Sequence, residues 1–132
     1  MSREYVEVVR QFLSAFQRGD ISAAFEAMHP EIEWRGPEGV PEPGPYVGVR
    51  AVRDWLEGFL EAWKDWQVEA ASYRDAGKYV LVELRHRGTA KDSGIQVSDR
   101  DFNVFEVRDG RITKWLMFYD DVEALKAVGL RE

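Results

Sequence analysis

The residues best suited to chemistry alternate along one predicted strand, residues 97–107. Asp99, Asp101 and Asn103 share one of its faces, because successive side chains of a strand point to opposite sides. A carboxyl group held against apolar side chains suits general acid/base catalysis, and an amide can donate a hydrogen bond to a carbonyl or position water. We predict that Asp101, in the middle of this face, is the acid/base, assisted by Asn103, with Asp99 nearer the mouth. The alternatives are that Asp101 is solvated at a strand end and that Asn103 only makes a hydrogen bond to Asp101.

His86 is the other titratable candidate, since it lies on the apolar face of a predicted strand over residues 78–88. One interpretation is a buried histidine that only makes a hydrogen bond. The other is that the strands of His86 and Asp101 pair, so that the imidazole faces the carboxylates and works as an acid or a base. The sequence leaves both interpretations open, and in the second His86 assists Asp101 in catalysis.

Other chemistries lack the residues that they require. The chain has no Cys and two His, and its His, Asp and Glu residues show no metal-ligand spacing. It contains no Gly-rich phosphate loop, no dinucleotide fingerprint and no Ser in a nucleophile-elbow motif. We therefore expect neither a cofactor nor a metal ion.

Length and charge narrow the class of protein. The 132 residues are predicted to form one domain, residues 1–132. A net charge of −6 argues against nucleic-acid and anionic-membrane partners, and no apolar run approaches the ~20 residues of a membrane span. The absence of Cys fits a reducing compartment, and the first residues enter a helical pattern without a signal peptide. These features predict a cytoplasmic protein.

Hydrophobic periodicity predicts the order helix, helix, strand, helix, four strands, helix. The predicted helices are residues 4–18, a short segment that ends before His29-Pro30, residues 50–64 and residues 121–128; the predicted strands are residues 31–35, 65–74, 78–88 and two arms of 97–119. Helices beside consecutive hairpins indicate an α+β fold. We expect a cone-shaped barrel, in which a strongly curved antiparallel sheet wraps around three N-terminal helices, with a short C-terminal helix.

The two arms of residues 97–119 meet at Asp109-Gly110. This dipeptide predicts a tight hairpin, because both central positions of a type I′ turn need positive φ. Alternation along the second arm then places Trp115 on the inner face and Ile112 on the outer one.

Five Trp, five Tyr and seven Phe are many for this length, and they suit either a dense core or a cavity lined by aromatic rings. We predict that the inner face of the sheet and the facing helices form a mostly apolar pocket. The side chains expected to contact a substrate there are Phe12, Phe16, Trp34, Trp55, Phe59, Phe105, Trp115, Met117 and Tyr119.

Residues 36–48 form a predicted loop that is rich in Pro and Gly and longer than most connections. We expect an ordered flap that borders the pocket mouth, because the loop joins the inward strand of Trp34 to the third helix.

The sheet face opposite the pocket is apolar as well, although an antiparallel sheet normally leaves one face polar. None of the predicted helices or strands remains to cover this face, so we predict a homodimer through this outer sheet face. The side chains concerned are Tyr79, Leu81, Phe102, Val104, Leu116 and Phe118.

Landmarks along nearly the whole chain resemble the nuclear transport factor 2-like (NTF2-like) superfamily. They are Gly19-Asp20-Ile21 through His29-Pro30 and Glu33-Trp34, then Gly48-Val49-Arg50-Ala51-Val52, and then Asp109-Gly110-Arg111-Ile112 followed by Trp115. Within that superfamily the chain looks most like the SnoaL-like branch, which includes polyketide cyclases; ketosteroid isomerases and limonene epoxide hydrolases are relatives. The resemblance implies the cone-shaped fold and a dimer, whereas one fold hosts many functions.

The resemblance also allows two activities to be compared residue by residue. Ketosteroid isomerases carry a phenol donor where this chain has Phe12 and a carboxylate base where it has Gly36, so only their acidic residue near Asp101 is matched. Epoxide hydrolases carry an Arg and an Asp where this chain has Asp99 and Asp101, and a further carboxylate near Met117. Cyclase-type chemistry needs only a positioned carboxylate or His and a shaped cavity, and fits this chain better.

We therefore predict a protein that binds a small hydrophobic molecule and acts on it as a cofactor-independent acid/base enzyme of the cyclase, isomerase or hydratase type. The alternatives are a non-catalytic ligand-binding module and a dimeric assembly domain whose interior is filled by its own side chains. A pocket closed by Trp34 and Trp115 favours the assembly domain.

Overall fold

The computed structural model of the protein describes residues 2–129, in which four helices accompany one six-stranded sheet. The elements are α1 (Ser2–Gln17), α2 (Ile21–Glu26), β1 (Met28–Arg35), β2 (Tyr46–Val47), α3 (Val49–Glu61), β3 (Gln67–Ala76), β4 (Tyr79–Thr89), β5 (Gln96–Arg108), β6 (Arg111–Phe118) and α4 (Asp121–Ala127). The predicted α+β class and curved sheet are confirmed. No helix within the described residues is both long and apolar enough to cross a membrane.

The strands follow the order β2-β1-β6-β5-β4-β3. Every neighbouring pair is antiparallel except β1 and β6, which run parallel. The helices α1 and α3 turn their apolar stripes towards the inner face of this sheet, with Val9, Phe12, Val52 and Leu56 buried. The core therefore lies between the helices and the concave side of the sheet.

The first strand begins earlier than the sequence predicts. Asp20 caps α2, with its Oδ1 accepting a hydrogen bond from the backbone N–H of Ala23 at 3.2 Å. Met28 already pairs with Ile112 of β6, so His29 and Pro30 lie inside β1 and not at a helix end. The pairing shifts register between Met28 and Glu33, and a bulge of this kind accommodates a proline that donates no ladder hydrogen bond.

The hairpin between β5 and β6 forms as predicted. Asp109 has φ of 55° and Gly110 has φ of 74°, which are the two positive values that a type I′ turn requires. Side chains of both arms can therefore be assigned to faces by counting from this turn, unless the register shifts.

The register does shift, and this corrects the predicted position of Ile112. Glu106 pairs with Lys114, but Val107 pairs with Ile112, so Thr113 is the extra residue of a bulge. Ile112 consequently faces the core and is fully buried. The hydroxyl of Thr113 donates to Oε1 of Glu106 on the outer side, at 2.8 Å. Beyond the bulge the predicted alternation is restored.

The outer face of the sheet is covered in part by α4, which corrects the expectation that no element was left to cover it. Ala124 and Leu125 of this helix form a buried cluster with Leu81 and Val104. The helix starts at the predicted cap, where Oδ1 of Asp120 accepts from the backbone N–H of Glu123 at 2.8 Å. The other outer-face side chains, Tyr79, Phe102, Leu116 and Phe118, are half-buried beside the cluster.

We expect Leu125→Ala to lower the free energy of unfolding by about 2–4 kcal/mol, because it opens a cavity between α4 and the sheet. Chemical denaturation followed by circular dichroism measures the change. Val122→Ala on the same helix is the control, since Val122 is 41% exposed and should change stability by less than about 0.5 kcal/mol. Equal losses in the two variants would contradict the packing described here.

Candidate functional site

A chain of hydrogen bonds links three strands inside the cone. In the register of β4 with β5, Leu84 lies opposite Asp101, and His86 lies two residues further along the same face. His86 Nε2 lies 2.8 Å from Oδ1 of Asp101, and Nδ2 of Asn103 donates to the same oxygen at 2.8 Å. Nε1 of Trp115 then donates to Oδ1 of Asn103 at 2.7 Å. The predicted proximity of Asp101 to His86 and Asn103 is confirmed.

The polar members of this chain are shielded from water. Asn103 is fully buried and Asp101 is 7% exposed, so each polar group needs a partner within the protein. Asp101 accepts hydrogen bonds from two neighbours at one oxygen, which offsets the penalty of burying a carboxylate. Asn103 donates to one neighbour and accepts from the other, so it connects the carboxylate to the indole.

The hydrogen bond to Asp101 determines which nitrogen of His86 carries the proton. A carboxylate only accepts hydrogen bonds, so Nε2 of a neutral His86 is the donor and Nδ1 keeps the free electron pair. Nδ1 is buried and has no hydrogen-bond partner among the described residues. His86 is thus an oriented imidazole with one unused acceptor.

His86 also lines a cleft of about 850 Å³, whereas Asp101 does not. The cleft opens between the end of α1, the end of α3, the start of β3 and the end of β4. The cleft is not the mostly apolar pocket that the sequence predicts, because, besides His86, polar and apolar side chains line it in equal number. The apolar ones are Phe16, Ile21, Leu60, Trp63, Trp66 and Val68, and the polar ones are Gln17, Gln67, Glu69, Arg85, Arg87 and Ser98. A molecule in the cleft would therefore meet His86 first, with Asp101 behind the imidazole.

Most side chains predicted to contact a substrate instead form an aromatic core. Phe12, Phe105, Trp34 and Trp115 are each at most 6% exposed. Their rings pack on one another, for example Phe12 against Trp115 with centroids 5.4 Å apart. Trp34 stacks on Trp55 at 3.7 Å, so these rings fill the part of the cone in which a cavity was expected.

The remaining predicted contact residues are divided between three environments. Phe16 lines the cleft, and Phe59 packs beside it between Trp55 and Trp66. Met117 is half-buried against the core, opposite Asn103. Tyr119 follows the last residue of β6 and is 57% exposed, so the alternation that placed it inside no longer applies there.

Asp99 lies outside the buried chain, although it pairs with His86 in the sheet. It is exposed, and its Oδ1 accepts a hydrogen bond from the backbone N–H of Arg100 at 2.7 Å. The strand pair extends beyond the core at this point, so the side chain is solvated.

The proline-rich loop is tied back to β1 and does not border the cleft, which corrects the predicted flap. The backbone N–H of Gly36 donates to the carbonyl of Pro43 at 2.8 Å, and that of Gly48 donates to the carbonyl of Ile32 at 2.7 Å. Tyr46 packs against Trp34 with ring centroids 5.4 Å apart. None of residues 36–48 is among those that line the cleft.

Trp63 and Trp66 are walls of the cleft that the sequence does not predict. The predicted helix over residues 50–64 includes Trp63, but α3 ends at Glu61, so both rings belong to the connection between α3 and β3. One signal was available: Gly88 is the last residue of the predicted strand over residues 78–88, and a glycine in a strand often marks a close approach by another group. Within residues 2–129 no group of three or more His, Cys, Asp or Glu side chains could hold a metal ion.

Comparison with known proteins gives a family and a fold. Residues 9–115 match the family model of the SnoaL-like domain. No curated protein matches the chain.

Solved structures match it over nearly its whole length. An NTF2-like protein from Burkholderia thailandensis is 27% identical, with a TM-score of 0.78 over 92% of this chain and 95% of that one. A protein described as a SnoaL-like polyketide cyclase from Jannaschia is 18% identical, with a TM-score of 0.78 over 98% and 94% of the two chains. An epoxide hydrolase of the LEH-like type from M. tuberculosis is 24% identical, with a TM-score of 0.73 over 96% and 90%.

We expect Asn103→Leu to destabilise the protein by about 1–3 kcal/mol, because it leaves the buried Nε1–H of Trp115 without an acceptor. Denaturation measures the loss of stability, and the indole N–H signal of Trp115 in the proton NMR spectrum should move upfield. The indole signal of Trp63, which takes no part in the chain, is the internal control. An unmoved Trp115 signal in the folded variant would contradict the hydrogen bond.

Proposed function

Since the chain belongs to the SnoaL-like family, we propose that it binds a small hydrophobic molecule in the cleft beside His86 and acts on it by acid/base chemistry without a cofactor. The single observation that carries the proposal is the hydrogen bond between His86, which lines the cleft, and the buried Asp101. Imidazole transfers protons near neutral pH, and a carboxylate behind it selects the tautomer.

The roles of His86 and Asp101 in this proposal differ from those that the sequence predicts, with Asp101 as the acid/base. His86 is the group that meets the ligand, and Asp101 is a positioning residue that holds Nε2. Asn103 stabilises the carboxylate and has no contact of its own with the cleft. Asp99 is exposed near the start of β5 and has no part in the mechanism.

In the proposed reaction Nδ1 of His86 removes a proton from an acidic C–H or O–H group of the ligand and returns it at another atom. Because Nδ1 is buried in the structure, the wall of the cleft that covers it has to open when the ligand binds. The ligand keeps its electron count, so no oxidant or reductant is required. Proton transfer of this kind serves isomerisation, cyclisation and hydration, and typically contributes about 10²–10⁴-fold in rate. The structural neighbour described as a SnoaL-like polyketide cyclase supports a reaction of this class.

The second candidate is a binding or assembly module without catalysis. It is favoured by the aromatic core, because Trp34, Trp55 and Trp115 occupy the interior and leave the ligand only the cleft at its end. A cytoplasmic location and the absence of a nucleic-acid partner are part of both candidates, in keeping with the net charge of −6.

We also propose that the protein forms a homodimer through the outer sheet face that α4 leaves uncovered. Phe102, Leu116 and Phe118 are half-buried there, and a second copy would remove them from water. Light scattering at micromolar concentration should give twice the monomer mass, and Phe118→Lys should shift the mass towards the monomer. A monomeric wild-type protein would contradict the dimer.

The catalytic proposal can be tested with the ketone β-tetralone, an apolar molecule with acidic C–H groups. We expect the protein to accelerate deuterium uptake at these carbons in deuterium oxide, measured by proton NMR. His86→Gln should reduce the acceleration by about 10²-fold or more, since it removes the base. Asp101→Asn should reduce it less, because it only loosens the imidazole.

His29→Gln is the matched control. His29 is the other histidine of the chain, and its Nδ1 accepts from the backbone N–H of Glu31 at 3.1 Å, outside the cleft. Exchange in His86→Gln equal to that of the wild type would refute the proposed base. Binding of β-tetralone, seen as a change in tryptophan fluorescence, without faster exchange would favour the binding module.

A further inference from the structure

We propose that Trp66 is a positioning residue that holds the ring plane of His86, and that Gly88 provides the space in which Trp66 sits. The proposal rests on the proposed function only in taking His86 as the group that meets the ligand. It concerns a tryptophan and a glycine that take no part in the hydrogen-bond chain from His86 to Trp115.

His86 needs a second restraint besides its hydrogen bond. Nε2 is held by Asp101 at 2.8 Å, while Nδ1 has no partner among the described residues, so a single hydrogen bond opposes rotation of the ring about its Cβ–Cγ bond. Trp66 stacks on the imidazole with ring centroids 5.0 Å apart and an interplanar angle of 30°. A flat indole against a flat imidazole opposes this rotation, and therefore keeps Nε2 at Asp101 and sets the direction in which Nδ1 points.

Trp66 is itself fixed by its neighbours. Its ring meets the edge of Phe59 and packs on Trp63, each at a centroid distance of 4.9 Å. Trp66 belongs to the connection between α3 and β3, and this connection is hydrogen-bonded to the backbone of Thr89 at the end of β4. The carbonyl of Thr89 accepts from the backbone N–H of Lys64 at 2.8 Å, and its N–H donates to Oδ1 of Asp65 at 3.0 Å.

Gly88 lies directly under the two indoles. A Cβ added at Gly88 would lie 2.8 Å from Cε3 of Trp66, 2.9 Å from Cε3 of Trp63 and 3.1 Å from the carbonyl oxygen of Asp65. The first two distances are shorter than real Cβ contacts, so any larger residue has to displace an indole. The backbone of Gly88 does not have a positive φ. The lack of space for a side chain, and not the backbone conformation, therefore explains why this residue is a glycine.

Three variants separate the steps of this argument. Trp66→Leu removes the flat ring but keeps an apolar side chain, and Trp66→Phe keeps a flat ring. Gly88→Ala leaves Trp66 in the chain but displaces it. Gly58→Ala is the matched control, because a Cβ at Gly58, on α3, meets no atom within 4 Å.

The readout is long-range proton–nitrogen NMR of the His86 imidazole, together with deuterium uptake by β-tetralone. The wild type and Gly58→Ala should show one tautomer with the proton on Nε2. Trp66→Leu and Gly88→Ala should show a mixture of tautomers and lose about tenfold or more in exchange rate, since small misplacements of a reacting group are costly. Trp66→Phe should restore the single tautomer and most of the rate.

A single Nε2–H tautomer in folded Trp66→Leu would overturn the proposal. Trp66 is only half-buried, so this variant decides the matter even if Gly88→Ala does not fold. The tautomer is measured without a ligand. The wild type could fail to exchange β-tetralone while the Trp66→Leu variant still shows a mixture of tautomers. That result would refute the proposed function and leave the positioning role intact.

Discussion

The carboxylate of Asp101 is the constraint on which the site depends. A carboxyl group only 7% exposed requires hydrogen-bond donors from the protein, because water no longer reaches it. The donors come from His86 on β4 and Asn103 on β5, and Asn103 is in turn held by Trp115 on β6. The buried charge thus couples the register of three strands to the tautomer of one imidazole, and a slip of one residue in either pairing would break the chain.

The aromatic core explains why the candidate site lies at the end of the cone and not at its centre. Phe12, Phe105 and Trp115 pack edge to face or stacked, and such pairs add about 0.5–1.5 kcal/mol each to the burial of their area. A ligand that entered between them would have to replace these contacts. A ligand in the cleft beside His86 would not have to replace these ring contacts. The hydrogen-bond chain that begins at Trp115 in the apolar interior ends at His86, which lines this cleft.

Several features followed from the sequence because they depend on neighbouring residues. The period of two residues along a strand puts His86 on one face of β4 and Asp101 with Asn103 on one face of β5. Asp109-Gly110 defines the turn between the arms of the hairpin, since the turn type depends on the φ of these two residues alone. Asp120 caps α4 for an equally local reason. Together with the landmarks of the family, these features were sufficient to predict the fold and to place Asp101 beside Asn103, whereas the sequence left open whether His86 faces Asp101.

Other features depended on the tertiary structure, because the periodicity of neighbouring residues does not determine them. The bulge at Thr113 moves Ile112 from the outer face to the core, and α4 covers a surface that the strand pattern left open. Counting residues also cannot distinguish a ring that lines a cavity from one that fills it, as Trp34 does. The contact of Trp66 with Gly88 and His86 joins residues about twenty apart in the chain, because the close approach of two segments depends on how all the others pack. The types of the candidate groups were therefore determined by the sequence, and their surroundings by packing.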